Sequence, residues 1–75
     1  MLDAKLADLL EGLSESEYVP SQALAGQCGI SDRTVRTRVQ ELREELERNG
    51  ATIESRQRYG YRLVVQDRQK YQIWL

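Results

Sequence analysis

Histidine is absent from the sequence, and cysteine occurs once, as Cys28. Without histidine there is no Ser-His-Asp triad, no His-activated thiolate and no His-ligated zinc. A single cysteine makes neither an internal disulfide nor a thiolate-rich metal centre. No apolar run approaches the ~20 residues that span a bilayer, and no signal-peptide pattern is visible. What is present is 75 residues, 40% of them hydrophobic. That makes one small domain with one core, a size that buries only ~60% of its unfolded surface. These absences predict a soluble, cytoplasmic, non-enzymatic binding domain, with no cofactor, no metal, no small-molecule ligand and no membrane partner.

The net charge is −1, from 11 Lys+Arg against 12 Asp+Glu, but its distribution is uneven. Residues 1–30 carry −4, residues 31–65 carry +2 and residues 66–75 carry +1. Whole-chain charge counts mildly against a nucleic-acid partner, whereas the local pattern favours one. All bases except Lys5 and Lys70 are arginine, the residue suited to bidentate contact with phosphates and guanine edges. They concentrate on two short segments, Arg33 to Arg38 and Arg56 to Arg62.

Leu2, Leu6, Leu9, Leu10 and Leu13 recur on one helical face and predict a first helix over 2–13. Ser14 to Glu17 reads as a loop, and Tyr18-Val19 as a short edge strand. Pro20 suits a helix start, with Ser21 as N-cap. Leu24, Ala25 and Cys28 give a second helix, stopped by Gly29. Ser31 is the expected N-cap of a third helix running from about Asp32 to about Arg48, with Val35, Val39, Leu42 and Leu46 as its buried stripe and Asn49-Gly50 as its C-cap. Thr52 to Arg56 reads as a strand, Gln57-Arg58-Tyr59-Gly60 as a hairpin connection with positive φ at Gly60, and Tyr61 to Val65 as the returning strand. Asp67 is placed to cap a last short helix.

Helix, helix, tight turn, helix, hairpin is the order of a winged helix-turn-helix, an α+β fold of three helices followed by a two-stranded wing. The turn is specified by Ala25, which is small where the third helix crosses, by Gly29 four residues on, and by Val35 six residues further. At 100° per residue, Arg33, Thr37 and Gln40 point away from the buried stripe, Arg36 lies on one flank, and Thr34 and Arg38 lie on the other. The N-terminal half of the helix is thus Arg, Thr and Gln outside. The C-terminal half is crowded with glutamates that phosphate would repel. This polarity suits a recognition helix entering the major groove of double-stranded DNA by its N-terminal end. Arg33 and Arg36 are placed to read guanine edges, and Ser31, Thr34 and Arg38 to hold phosphates. The full DNA-binding set is Ser21, Ser31, Arg33, Thr34, Arg36, Thr37, Arg38 and Gln40, with Arg56, Arg58, Tyr59 and Arg62 on the wing. Three arginines on an exposed tip are read as contacts to flanking backbone or the minor groove.

The stretch from Ser31 to Leu75 resembles the N-terminal winged helix of bacterial transcription regulators that carry PTS regulation domains, the mannitol- and lichenan-type operon activators. Related domains occur in streptococcal virulence regulators, and biotin-ligase and deoxyribose-type repressors share part of the pattern. The matching motifs are S-x-R-T-V-R at 31–36, EL-x-EEL at 41–46, G-A-x-I-E-S at 50–55 and GYRL at 60–63. The resemblance implies operator contacts from Ser31, Arg33, Thr34, Arg36, Thr37, Arg58 and Arg62. Pro20 stands where the family usually has Ser or Thr, so the phosphate contact of that position is not carried over. The resemblance further implies an excised N-terminal domain of a protein that dimerises, with residues 1–66 as the winged helix and 67–75 as the start of a linker or a following helical domain. The phosphorylatable histidines of such a regulator would then lie outside this segment.

Plainer readings stand beside these. Arg43 with Glu47, and Glu44 with Arg48, are expected as solvated i, i+4 pairs. Cys28 reads as a small buried hydrophobe and Tyr61 as core, while Tyr59 is open between packing and contact. Four large apolar residues among the last five positions, Tyr71, Ile73, Trp74 and Leu75, either pack back on the first helix or belong to a missing domain or a dimer contact. Two alternatives to a sugar-operon DNA-binding domain remain: a winged helix used for protein–protein contact, which the arginine placement argues against, and an accessory domain of a bifunctional enzyme-repressor.

Overall fold

A computed structural model describes residues 2–75, which fold in the order α1 (Ala4–Gly12), α2 (Ser21–Cys28), α3 (Asp32–Glu47), β1 (Ala51–Arg56), β2 (Gly60–Val65) and α4 (Arg68–Trp74). The strands pair antiparallel, with Ala51 opposite Val65, Ile53 opposite Leu63 and Arg56 opposite Gly60. This is a winged helix-turn-helix, with a fourth helix closing the domain.

The leucine face of α1 buries Leu6 and Leu9, and Leu2, Leu10 and Leu13 pack at its margin. Asp3 caps this helix through the Lys5 amide, so it starts two residues later than the leucine pattern alone suggests. Val35, Val39, Leu42 and Leu46 of α3 are all buried, as the 3.6-residue period requires. From β1 and β2, Ala51, Ile53 and Leu63 complete the same core, because alternate strand residues share a face.

The turn between α2 and α3 follows from glycine's freedom at positive φ. Gly29 sits at φ 68° and ψ 39°, and its amide and that of Ile30 both donate to the Ala25 carbonyl. Ser31 then caps α3 by accepting from the Thr34 amide at 3.2 Å, with Asp32 in the first turn.

Two cap assignments need correction. Ser21 is the first helical residue of α2 and makes no capping bond; Pro20 occupies the cap position. The proline ring holds φ at −62° with ψ extended, and its carbonyl accepts from the Ala23 and Leu24 amides, so the ladder starts there. At the other end of α3 the C-cap is Arg48, and Asn49-Gly50 forms the turn beyond it. The Asn49 side chain donates to the Glu45 carbonyl, and Gly50 has φ 85°.

The loop between α1 and α2 runs along β2. Leu63 donates to the Ser14 carbonyl, and Val19 and Tyr61 exchange both backbone hydrogen bonds; in place of the edge strand expected at Tyr18-Val19 there is a single β-bridge at Val19. Asp67 caps α4 through the Lys70 amide. Tyr71 of α4 is buried in the core, and with Trp74 it faces Leu2, Ala7 and Leu10 across a shallow groove. The C-terminal segment is thus anchored to the core through Tyr71 and Trp74, while Ile73 is 80% and Leu75 69% exposed.

Candidate nucleic-acid interface

The start of α3, the start of α2 and the wing tip converge on one cleft of about 720 Å³. Ser21, Arg36, Arg56, Arg58 and Tyr59 line it, five of the residues singled out from the sequence. Gln22 of α2 also lines it and was not anticipated; its only sequence signal is its place in the first turn of the helix-turn-helix's leading helix.

On the opposite flank of α3, Thr34, Thr37 and Arg38 line a smaller hollow with Asp3 and Lys5 of the N-terminal segment. Arg33 and Gln40 are exposed on the helix surface. Ser31 and Thr34 hydroxyls lie 3.0 Å apart in the cap, and Thr37 donates back to the Arg33 carbonyl. Among the described residues, Arg33, Arg36, Arg38, Arg56 and Arg58 make no ion pair. Free guanidinium groups are thus gathered at the N-terminal half of α3 and the wing tip.

The expected i, i+4 pairs on α3 do not form. Arg43 donates instead to the Ile53 carbonyl at 3.1 Å and to Gln40, tying α3 to β1. Glu47 accepts from the Thr52 hydroxyl, and Arg48 pairs with Glu45. For Arg43 and Glu47, contact with β1 outcompetes a weak solvated pair, whereas Arg48 exchanges one local partner for another.

The wing turn closes with the Tyr59 amide donating to the Arg56 carbonyl. Gly60 has the expected positive φ, 113°, and Arg58 has φ 75° as well, a strained value for a residue with a Cβ. Tyr59 is 56% exposed, with the Arg56 guanidinium 4.7 Å from its ring centroid. Tyr61 packs against the core, as its alternation with Leu63 implies.

Arg62 does not share the exposed tip. It lies within β2 on the outer face, opposite Glu54, and bonds to that carboxylate and to the Glu15 carbonyl. Tyr18, absent from the sequence-derived set, lies beneath both Arg56 and Arg62 and donates its hydroxyl to Glu54. No local pattern identifies this cluster, because Tyr18 and Glu54 are 36 residues apart.

This geometry agrees with the pattern of the HTH domain family, which matches residues 5–62. The chain belongs to the HTH domain family. The match covers the three helices and most of the hairpin, so this helix-turn-helix chain is a DNA-binding domain. It is similar to the probable licABCH operon regulator of Bacillus subtilis (strain 168), at 36% identity over 76 aligned positions. All of the chain aligns, but it spans only 12% of that relative's length. No solved structure matches the chain.

Two acidic groups in this helix-turn-helix domain titrate abnormally. The Arg68 side chain, bonded to Glu15 at 2.6 Å, holds that carboxyl below its ordinary 4.5. The Tyr18 hydroxyl and then Arg62 hold Glu54 below the same value. A carboxyl whose pKa is lower in the folded state contributes stability above its unfolded value, and loses it as pH falls through the folded one. Thermal unfolding followed by circular dichroism should therefore show Tm falling on acidification below pH 4.5. The fall should be smaller in a Glu15→Gln/Glu54→Gln variant. Both groups are exposed, so the effect is modest.

Proposed function

We propose that this domain reads operator DNA for a bacterial transcription regulator of a sugar-uptake operon, of the kind that carries PTS regulation domains. The observation that carries the reading is the cleft between Arg36 and the wing tip, where unpaired arginines flank the N-terminal half of α3. In this reading the first turns of α3 enter the major groove. Arg33 and Arg36 meet base edges, with Thr37 and Gln40 beside them. Ser31, Thr34 and Arg38 meet phosphate on one flank, and Ser21 meets it across the cleft. Arg56 and Arg58 clamp flanking backbone, with Tyr59 under the Arg56 guanidinium. Glutamates 41, 44, 45 and 47 keep the far half of the helix outside the groove.

The similarity to a relative named as an operon regulator supports the regulatory role, and the four sequence motifs support the subfamily. In the intact cytoplasmic protein, two such domains in a homodimer read half-sites ~10 bp apart or multiples of that. An isolated monomer binds weakly.

Reader and clamp are separable by mutation. Arg36→Ala is expected to cost ~1–3 kcal/mol of binding and to relax preference at one base pair. Arg58→Ala keeps the Cβ and its backbone strain, and so isolates the charge. It should weaken binding to all sequences and flatten the salt dependence by about one unit. Equal losses from both variants, with sequence preference unchanged, contradict the assignment.

A further inference from the structure

The outer face of the wing carries a cluster that the DNA-reading function leaves unused. Glu54 and Arg62 stand directly opposite each other across the hairpin. The Arg62 Nε and Nη2 atoms both donate to Glu54 Oε1, at 3.3 and 3.1 Å, and Nη1 donates to the Glu15 carbonyl at 3.0 Å. The Tyr18 ring lies 5.6 Å from the guanidinium carbon, and the Tyr18 hydroxyl donates to the same carboxylate oxygen. Three of the five N–H donors of Arg62 are thus committed to protein. A lone exposed ion pair would yield readily to a phosphate. Here a phosphate would have to displace a carboxylate, a carbonyl and a ring together. Arg56 and Arg58, by contrast, make no ion pair among the described residues.

We propose that Glu54 is a positioning residue of the wing, which holds Arg62 off the DNA and confines the wing's phosphate contacts to Arg56 and Arg58. The inference rests on the DNA-reading function proposed above. Glu54 thereby limits sequence-independent attraction, leaving a larger share of binding to the base-reading face of α3.

The test is the slope of log binding constant against log salt concentration on a random-sequence duplex, for the chain and four variants. Glu54→Ala frees Arg62 and should steepen the slope by about 0.9, the increment for one phosphate contact. Arg62→Gln should remove that gain in the Glu54→Ala background, and should change the slope less than half as much in the wild-type background. This non-additivity separates a released contact from a general change in the electrostatic field. An unchanged slope in Glu54→Ala overturns the proposal, as does an equal effect of Arg62→Gln in both backgrounds. Arg58→Ala in the same series tests the underlying reading. If it leaves the slope unchanged, the wing does not clamp DNA and both conclusions fall. If it flattens the slope while Glu54→Ala has no effect, only the positioning role falls. Glu54 and Arg62 lie outside the buried core, so the variants keep the fold.

Discussion

Gly60→Ala is expected to destabilise the domain by about 3 kcal/mol or more, from strain and steric conflict together. A Cβ on Gly60 would lie 2.1 Å from the Val19 carbonyl oxygen and 2.7 Å from the Pro20 Cα. These are backbone atoms, fixed by the two hydrogen bonds between Val19 and Tyr61, so they do not swing aside as a flexible side chain would. The φ of 113° adds a second penalty, since residues with a Cβ rarely adopt it. Relief requires the wing to part from the segment leading into α2, which would open the cleft that Arg36 and the wing tip share. A domain of this size has roughly 4–11 kcal/mol of stability in total. Each kcal/mol corresponds to roughly 4–8 °C in Tm, so thermal denaturation should show a fall of roughly 12 °C or more. A shift below a few degrees would contradict the close packing of Val19 on the wing.

Leu42→Ala should have a comparable effect, about 2–5 kcal/mol, by a different mechanism. Leu42 is fully buried on the face of α3 that packs toward α1 and the sheet. Truncation loses the transfer free energy of its methyl groups and leaves a void that the small core closes only in part. The loss is a large fraction of the total stability, so urea denaturation should show a much lower midpoint with a similar m-value. Because α3 also carries the proposed base contacts, DNA affinity should fall as the folded population falls, with sequence preference retained in the fraction that folds. A relaxed preference would mean that the core substitution alters the helix surface itself.

The two long helices were legible because their apolar residues keep a helical period: the leucines of α1 and the Val35–Leu46 stripe identify the buried faces directly. The Ala25–Gly29–Val35 spacing identified the turn, because glycine's conformation at 29 is a local property. The cap of α2 was misplaced by one residue. Ser21 has the better capping side chain, but Pro20 has the backbone geometry, and the geometry prevailed. Ionic partners were the least legible feature. Arg43 turns to the Ile53 carbonyl and Arg62 to Glu54 because the hairpin brings those groups alongside, which is decided by tertiary register. The positive φ at Arg58 carries no signature either, since arginine is not a turn former and Gly60 nearby accounts for the usual signal. Five members of the candidate site nevertheless meet in one cleft. They lie at the start of α2, on the N-terminal half of α3 and at the tip of the hairpin, places that the order of the predicted elements had already assigned to them.

The most direct test of the central claim is a salt titration of binding to a random duplex pool, with sequencing of the retained fraction. Reading by α3 with clamping by the wing predicts steep salt dependence and an enriched half-site motif. No retention even at low salt, or retention without any enriched motif, would contradict the claim that this helix and wing read operator DNA.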